Sequence, residues 1–278
     1  KSGELVMEMK KCPGFFLDHP FKQSDEEVKY LVGELGEMVS FLEETSGRRM
    51  NWDKLSEIVA GMDRQIELYR EIAELRKSVP SPLQPQGFLQ LITPDYLFPG
   101  QPEAIEYLQA LKEELALMVK EGRGAVSLER FRLMSLFLPP MYMIPFLQKI
   151  SEEYGAVSVI EPFFTLWGEG RLDPSKPLES VAQKSYMLPE MRMFGPMDDR
   201  ALKAIVTSAE QYKVDGVIYY ADVGCRHSCA MIKLFKDTLN GIDVPVLTAD
   251  CDVLDPTITS KEEMREKLEQ FFELLEDR

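Results

Sequence analysis

The first half of the chain carries apolar residues at the three- and four-residue spacing of amphipathic helices. Ser24, followed by three acidic residues, is typical of a helix N-cap. Gly47 ends this helix, and Asn51 starts the next one. After a Pro- and Gln-rich turn at 80–85, a further helix is predicted. Residues 23–125 are therefore predicted to form a helical segment. Its helices are expected at about 24–46, 51–77 and 102–120.

The second half alternates short apolar runs with amphipathic stretches, a pattern that indicates strands alternating with helices. Such alternation favours right-handed crossovers and a parallel sheet covered on both faces. The long connection at 161–196 is rich in proline and is predicted to be irregular. The predicted strands are 131–138, 156–160, 216–220 and 244–247. The predicted helices are about 144–154, 198–212, 228–239 and 260–275.

The N-terminal residues indicate the end of another unit. Residues 4–9 have a helical pattern, and the apolar run 13–18 is predicted to be a short buried strand. Because the chain starts at Lys1 inside an apparent helix, we expect further sequence upstream of it. The predicted fold class is α/β, with a parallel-sheet domain of Rossmann or flavodoxin type, a helical segment and the remnant of a first α/β domain. The predicted boundaries are 1–22, 23–125 and 126–278.

Charge and composition exclude several classes of function. The 278 residues carry a formal net charge of −15, which argues against a nucleic-acid partner because phosphate binding requires clustered Lys and Arg. No apolar run approaches the ~20 residues of a membrane-spanning helix. The sequence has no signal peptide with a basic start and an apolar middle. We therefore expect a cytoplasmic protein with reduced thiols.

One cysteine occupies a position that suits chemistry. Cys225 follows the predicted strand 216–220 and precedes a predicted helix. In parallel α/β sheets, ligands bind outside the carboxyl ends of the strands. The partial positive charge of a helix N-terminus, with Arg226 beside it, favours thiolate over thiol. Gly224 permits a bulky group to approach the backbone. Cys225 is thus the leading candidate for a metal ligand or a nucleophile.

The other cysteines are weaker candidates. Cys229 lies four residues on and is either a second ligand or a core residue of the first helical turn. Cys251 follows the next predicted strand, which places it on the same edge of the sheet. Both are less favoured metal ligands than Cys225. Cys12, just before the predicted strand 13–18, is interpreted as structural.

Other common sites do not fit the sequence. The cysteine spacing lacks the two close pairs of a zinc finger. His227 is too close along the chain to Cys225 to act as its general base, and the other histidine, His19, is interpreted as a turn-capping residue. Neither a Gly-x-Gly-x-x-Gly motif nor a Walker motif is present. Catalytic residues cannot be assigned from these patterns.

Several segments, in their order and spacing, resemble one known family, the 2-hydroxyacyl-CoA dehydratases together with the ATP-dependent benzoyl-CoA reductases. The most specific match is Gly224-Cys225-Arg226-His227 followed by Val244-Pro245-Val246-Leu247 and Asp250. The similarity runs along nearly the whole chain. The other matching segments are 13–21, 30–55, 129–134, 138–140 and 264–275.

The resemblance implies an iron–sulfur enzyme subunit. In this family each of two related subunits binds a 4Fe–4S cluster through cysteines, and Cys225 corresponds to the C-terminal cluster cysteine. An ATP-dependent iron–sulfur activator delivers one electron at very low potential. The electron makes a ketyl radical of the acyl-CoA thioester, and this permits elimination of water from a 2-hydroxyacyl-CoA. The implied partners are a homologous second subunit, the activator protein and the acyl-CoA substrate.

The sequence also departs from the family pattern. The first domain, with the other cluster cysteines, is expected upstream of Lys1, so the matched residues do not complete a four-ligand set. Cys229 is not a regular ligand in the family. Three alternatives stay open: a subunit of a benzoyl-CoA reductase, a non-catalytic iron–sulfur electron-transfer accessory protein, and a cluster-free α/β binding module.

Overall fold

The computed structural model of the protein describes residues 2–84, 87–194 and 199–278. The helical segment and the α/β unit follow each other along the chain. The helices are α1 (Ser2–Lys10), α2 (Asp25–Ser46), α3 (Trp52–Leu75), α4 (Phe88–Leu97), α5 (Pro102–Lys120), α6 (Ile144–Tyr154), α7 (Pro162–Thr165), α8 (Pro177–Met187), α9 (Pro189–Phe194), α10 (Asp199–Gln211), α11 (Arg226–Asn240) and α12 (Lys261–Glu276), with a 3-10 turn at Met141–Met143. The strands are β1 (Phe131–Leu136), β2 (Ala156–Ile160), β3 (Gly216–Asp222) and β4 (Val246–Cys251).

Local capping explains where the first long helices begin and end. The Ser24 side chain accepts a hydrogen bond from the Glu27 amide, and Gly47 closes α2 in the left-handed region at φ 67°. The Asn51 side chain accepts from the Lys54 amide at the start of α3. The predicted helix starts at Ser24 and Asn51 are therefore confirmed.

The four strands form one parallel sheet in the order β2-β1-β3-β4. β1 pairs with both β2 and β3, and β3 pairs with β4 from Val217↔Val246 to Asp222↔Cys251. Since successive side chains of a strand point to opposite faces, each face is packed separately. α11 covers the face of Tyr219, whose hydroxyl donates to the Ser228 carbonyl at 2.7 Å. The predicted α/β parallel-sheet fold is confirmed.

The second face of the sheet packs against α6 and α12. Phe131 of β1 stacks on Phe272 of α12, with ring centroids 5.5 Å apart, and Tyr154 at the end of α6 lies against the same ring. α12 begins with a capping box, in which Ser260 and Glu263 each accept from the other's backbone amide. The sheet is thus buried between two helical layers. The loops that leave the strands gather at its carboxyl edge.

Two predictions about local structure are wrong. Residues 13–18 do not form a strand, because no strand within the described residues pairs with this segment. The segment is not buried either, since Phe16 is 80% exposed. The connection at 161–196 is not irregular throughout, since it contains α7, α8 and α9. Its prolines at 162, 177 and 189 occupy first helical turns, where the missing amide hydrogen costs nothing. Helix α4 was not predicted.

The helical segment packs directly on the sheet domain. Arg132 of β1 donates from Nη1 to the Ser78 carbonyl at 3.0 Å and from Nε to the Tyr212 carbonyl at 2.7 Å. The Tyr212 hydroxyl in turn donates to the Ala73 carbonyl of α3. The boundaries 1–22, 23–125 and 126–278 stay a prediction. None of the described helices is both long enough and apolar enough to cross a bilayer.

Candidate functional site

The turn between β3 and α11 holds Cys225 at the carboxyl edge of the sheet. The Asp222 carboxylate accepts from the Gly224 amide, and the Asp222 carbonyl accepts from the Cys225 amide, each at 2.9 Å. Cys225 is the N-cap of α11, and its Sγ accepts from the Ser228 amide at 3.4 Å. The side chain is half-buried. The sulfur therefore lies at a helix N-terminus and remains accessible from the edge of the sheet.

Cys229 lies one helical turn beyond Cys225 and returns to the same turn. Its amide donates to the Cys225 carbonyl, and its Sγ donates to the Asp222 carbonyl at 3.4 Å. The residue is exposed, so it does not belong to the core. The Asp222 carbonyl thus accepts from both the Cys225 amide and the Cys229 thiol.

Cys251 is placed differently from the other two candidates. It ends β4, lies opposite Asp222 in the strand register and is fully buried. Burial raises the pKa of the Cys251 thiol to about 12, and the charges of Asp222, Asp250 and Asp252 add to this effect. A fully buried sulfur is less available to a metal than the accessible sulfur of Cys225. Cys12 is exposed in the loop that follows α1.

Two carboxylates flank the Cys225 turn. A Cβ atom added at Gly224 would lie 3.3 Å from Asp222 Oδ1 and 3.5 Å from Asp252 Oδ2. Asp252 Oδ1 also accepts from the Leu254 and Asp255 amides, which shapes the loop after β4. The role of Asp222 as acceptor for both the turn and the Cys229 thiol was not predicted. The sequence did contain a signal for these carboxylates. Asp222 is the last residue of β3, and Asp252 directly follows β4.

Exposed apolar side chains surround this edge of the sheet, and we call Met141, Val223, Leu254 and Ile258 the apolar rim. Val223 is 49% and Leu254 is 77% exposed. Their loops adjoin, since the Val223 amide donates to the Cys251 carbonyl and the Met141 amide donates to the Val253 carbonyl. Exposed apolar groups grouped around a functional turn are typical of a surface that another protein unit covers.

Comparison with known proteins identifies the family. Residues 1–275 match the family model described as 2-hydroxyglutaryl-CoA dehydratase, D-component. The chain belongs to the 2-hydroxyglutaryl-CoA dehydratase D-component family. A benzoyl-CoA reductase subunit of Thauera aromatica is 24% identical over 297 aligned residues, which cover 99% of this chain and 67% of that protein. The resemblance predicted from the sequence is confirmed.

Membership of the D-component family makes an iron–sulfur cluster the group to test against these residues. A cuboidal 4Fe–4S cluster takes four cysteine ligands. In the part of the chain that the structure describes, no group of three or more His, Cys, Asp or Glu side chains is arranged to hold a metal. Cys225 fits the role of a single ligand, with an accessible sulfur at a helix N-terminus. Cys229 is the nearest second candidate, and Cys251, which is fully buried, stays the weaker one.

Proposed function

We propose that this chain is part of an iron–sulfur subunit of a 2-hydroxyacyl-CoA dehydratase and that Cys225 is one of its cluster ligands. The observation that carries the proposal is the position of Cys225, as N-cap of α11 at the carboxyl edge of a parallel sheet, in a chain matching the D-component family over residues 1–275. The product is an unsaturated acyl-CoA formed by radical elimination of water through a ketyl intermediate of the thioester. The cluster, when bound, supplies the low-potential electron.

The chain's own residues support this role in two ways. The N-terminal end of α11 and the Ser228 amide direct hydrogen-bond donors at the Cys225 sulfur, which suits a thiolate that is bound to a metal. The apolar rim around the turn lets a covering protein unit exclude water from the site, and low solvent access is one of the features that set cluster potential. The remaining ligands would come from another part of the protein.

Iron and acid-labile sulfide analysis of the anaerobically purified protein tests this proposal. Cys225→Ser keeps an N-cap side chain for α11 while removing the thiolate, and Cys225→Ala removes both. We expect both variants to lose most of their iron while their circular dichroism stays close to that of the wild type. Cys12→Ala, at an exposed cysteine outside the sheet edge, is the matched control and should keep its iron. Unchanged iron in both Cys225 variants would refute the ligand assignment.

A benzoyl-CoA reductase subunit is the second candidate, favoured by the 24% identity to a subunit of that enzyme. Its partners would be the same in kind: a homologous second subunit, an ATP-dependent iron–sulfur activator and an acyl-CoA. Anaerobic assays with partner subunit, activator and ATP separate the two candidates. Turnover of a 2-hydroxyacyl-CoA but not of an aromatic acyl-CoA supports the dehydratase, and the reverse result supports the reductase. We further propose a cytoplasmic location, in which cysteines that form no disulfide remain reduced.

A further inference from the structure

A groove lies between α4 and α5 on the surface of the helical segment, and we call it the α4–α5 groove. Its first depression has a volume of about 480 Å³ and walls that include Phe98, Ala104 and Tyr107. A second depression, of about 250 Å³, continues along α5 past Leu111 and Met118. Gln90 of α4 lines both depressions, so the two form one continuous groove.

The groove is largely apolar and open to solvent. Phe98 is 50% and Tyr107 is 43% exposed. On α5, apolar residues at spacings of three and four share the face that lines the groove, namely Ala104, Tyr107, Leu111, Leu115 and Met118. This face is about 21 Å long. A small ligand is normally enclosed on most sides, whereas an open apolar groove of this length matches an amphipathic helix that inserts one row of anchors.

The charges at the groove are mainly acidic. Glu103 lines the first depression and Glu114 the second, and both side chains are exposed. Among the described residues, neither carboxylate forms an ion pair. Arg123, in the wall of the second depression, is paired with Glu121. The rim of the groove therefore presents negative charge to whatever occupies it.

The negative charge of Glu114 acts along the groove. Burial raises the pKa of the Tyr107 hydroxyl, and the charge of Glu114 raises it further, although Tyr107 lines the other depression. A backbone acceptor adds to this preference for donors. Because Pro94 has no amide hydrogen, the Gln90 carbonyl lacks the i+4 donor of a regular helix. Lysine and arginine offer donors and no acceptor, so they suit both the carboxylates and this carbonyl.

We propose that the α4–α5 groove binds a basic amphipathic helix of a different protein. Its apolar anchors would pack on Phe98, Tyr107 and Leu111, and its lysine or arginine side chains would lie beside Glu103 and Glu114. A second copy of this chain is a poorer occupant, because each copy carries a formal net charge of −15 and the two repel. The inference rests on the geometry and charge of the groove and does not depend on the proposed function.

Fluorescence anisotropy with designed peptides tests the inference on the full chain. The basic probe is a helix of about 16 residues with leucines on one face and lysines on both sides of that face. An acidic probe carries glutamates in place of the lysines, and a scrambled basic probe keeps the composition but not the periodicity. The basic helix should bind, and the acidic and scrambled probes should each bind at least about 10-fold more weakly.

Three variants locate the binding surface. Tyr107→Ala removes a half-exposed ring and should weaken binding of the basic helix about 10-fold. Glu114→Lys should weaken the basic helix about 5-fold or more and strengthen the acidic one, a reversal that misfolding does not mimic. Glu37→Lys makes the same charge change at an exposed position of α2 and should leave both affinities unchanged.

Several outcomes would overturn the proposal. No binding of the basic helix, equal binding of the basic and scrambled probes, or an unchanged affinity in Tyr107→Ala would each rule out a helix site in this groove. Equal losses in Glu37→Lys and Glu114→Lys would mean attraction to the overall charge only. Analytical ultracentrifugation tests the other occupant, since a wild-type dimer that Tyr107→Ala converts to a monomer would assign the groove to a second copy and refute a different partner.

Discussion

Arg76 and Glu161 form a buried ion pair that joins the helical segment to the sheet domain. Arg76 Nη2 lies 2.7 Å from Glu161 Oε2, and the side chains are 0% and 1% exposed. The same nitrogen donates to the Ser158 carbonyl of β2, and the Ser158 hydroxyl donates to Glu161 Oε1 at 2.6 Å. These contacts fix the C-terminal end of α3 to the C-terminal end of β2, at the carboxyl edge of the sheet.

Breaking this pair from one side should be strongly destabilising. Arg76→Met leaves the Glu161 carboxylate buried without its cation, which typically costs about 3–5 kcal/mol in the free energy of unfolding. Urea denaturation followed by circular dichroism measures the loss. The double variant Arg76→Met/Glu161→Gln should lose less than the sum of the two single variants, because the uncompensated charge is gone.

An exposed pair provides the control for this prediction. Lys54 and Glu57 lie 3.1 Å apart with side chains that are 55% and 68% exposed. Glu57→Gln should change the free energy of unfolding by less than about 0.5 kcal/mol. If Arg76→Met were as mild as Glu57→Gln, the buried pair would not be what attaches α3 to the sheet.

Gly155 should be far less replaceable than Gly47, although both end helices in the left-handed region. Gly155 has φ 65°, and a Cβ added there would lie 2.2 Å from the Leu128 carbonyl oxygen. Gly47 has φ 67°, but no heavy atom lies within 4 Å of its added Cβ. Gly47→Ala should cost about 1 kcal/mol for the backbone conformation alone. Gly155→Ala should cost more than about 2 kcal/mol, because a backbone clash is added.

Thermal or urea unfolding of the two alanine variants measures this difference directly. The Gly155 carbonyl also accepts from the Arg130 and Phe131 amides, so a shift of this backbone would disturb the start of β1. Equal losses for the two variants would contradict the steric part of the prediction.

The elements with clear end signals were predictable from the sequence. The predicted ranges 102–120 and 156–160 coincide with α5 and β2, because Pro102 begins the helix and Gly155 separates α6 from the strand. Pattern alone did not reveal α8 and α9. Their prolines, Pro177 and Pro189, were interpreted as marks of an irregular loop, whereas both occupy the first helical position.

Other features could not be predicted because they depend on tertiary contacts, which the sequence pattern does not show. An apolar run such as 13–18 predicts a strand only if a neighbouring strand exists to pair with it, and the sequence does not show that neighbour. The position of Cys225 followed from the order of strand, turn and helix. The burial of Cys251 did not follow, because a position at the end of β4 does not tell which face its side chain takes.

Cys251 should make stability depend on pH in the alkaline range. Burial raises the pKa of its thiol to about 12 in the folded state, whereas an unfolded cysteine titrates near about 8.5. The protonated Cys251 thiol therefore contributes fully to stability below the pKa of the unfolded state. This contribution is lost as the pH rises towards the pKa of the folded state. Between about pH 9 and pH 11, this one group should reduce stability by up to about 1.4 kcal/mol per pH unit.

Urea midpoints of the wild type and of Cys251→Ala across this pH range isolate the effect. The variant should show a shallower decline with pH, and Cys229→Ala, at an exposed thiol, should follow the wild type. Parallel slopes for the wild type and Cys251→Ala would mean that this thiol titrates alike in the folded and unfolded states.

The four thiols should also differ in their reaction with iodoacetamide. The thiolate is the reactive form, so a buried thiol that retains its proton is both inaccessible and unreactive. In native protein stripped of iron, at about pH 8, Cys229 should be alkylated quickly and Cys251 should not react, because it is fully buried. Mass spectrometry of the peptides reports each site, and unfolding in urea should make all four cysteines react alike. Alkylation of native Cys251 at the rate of Cys229 would show that the end of β4 opens to solvent, and the case for excluding Cys251 as a metal ligand would then fail.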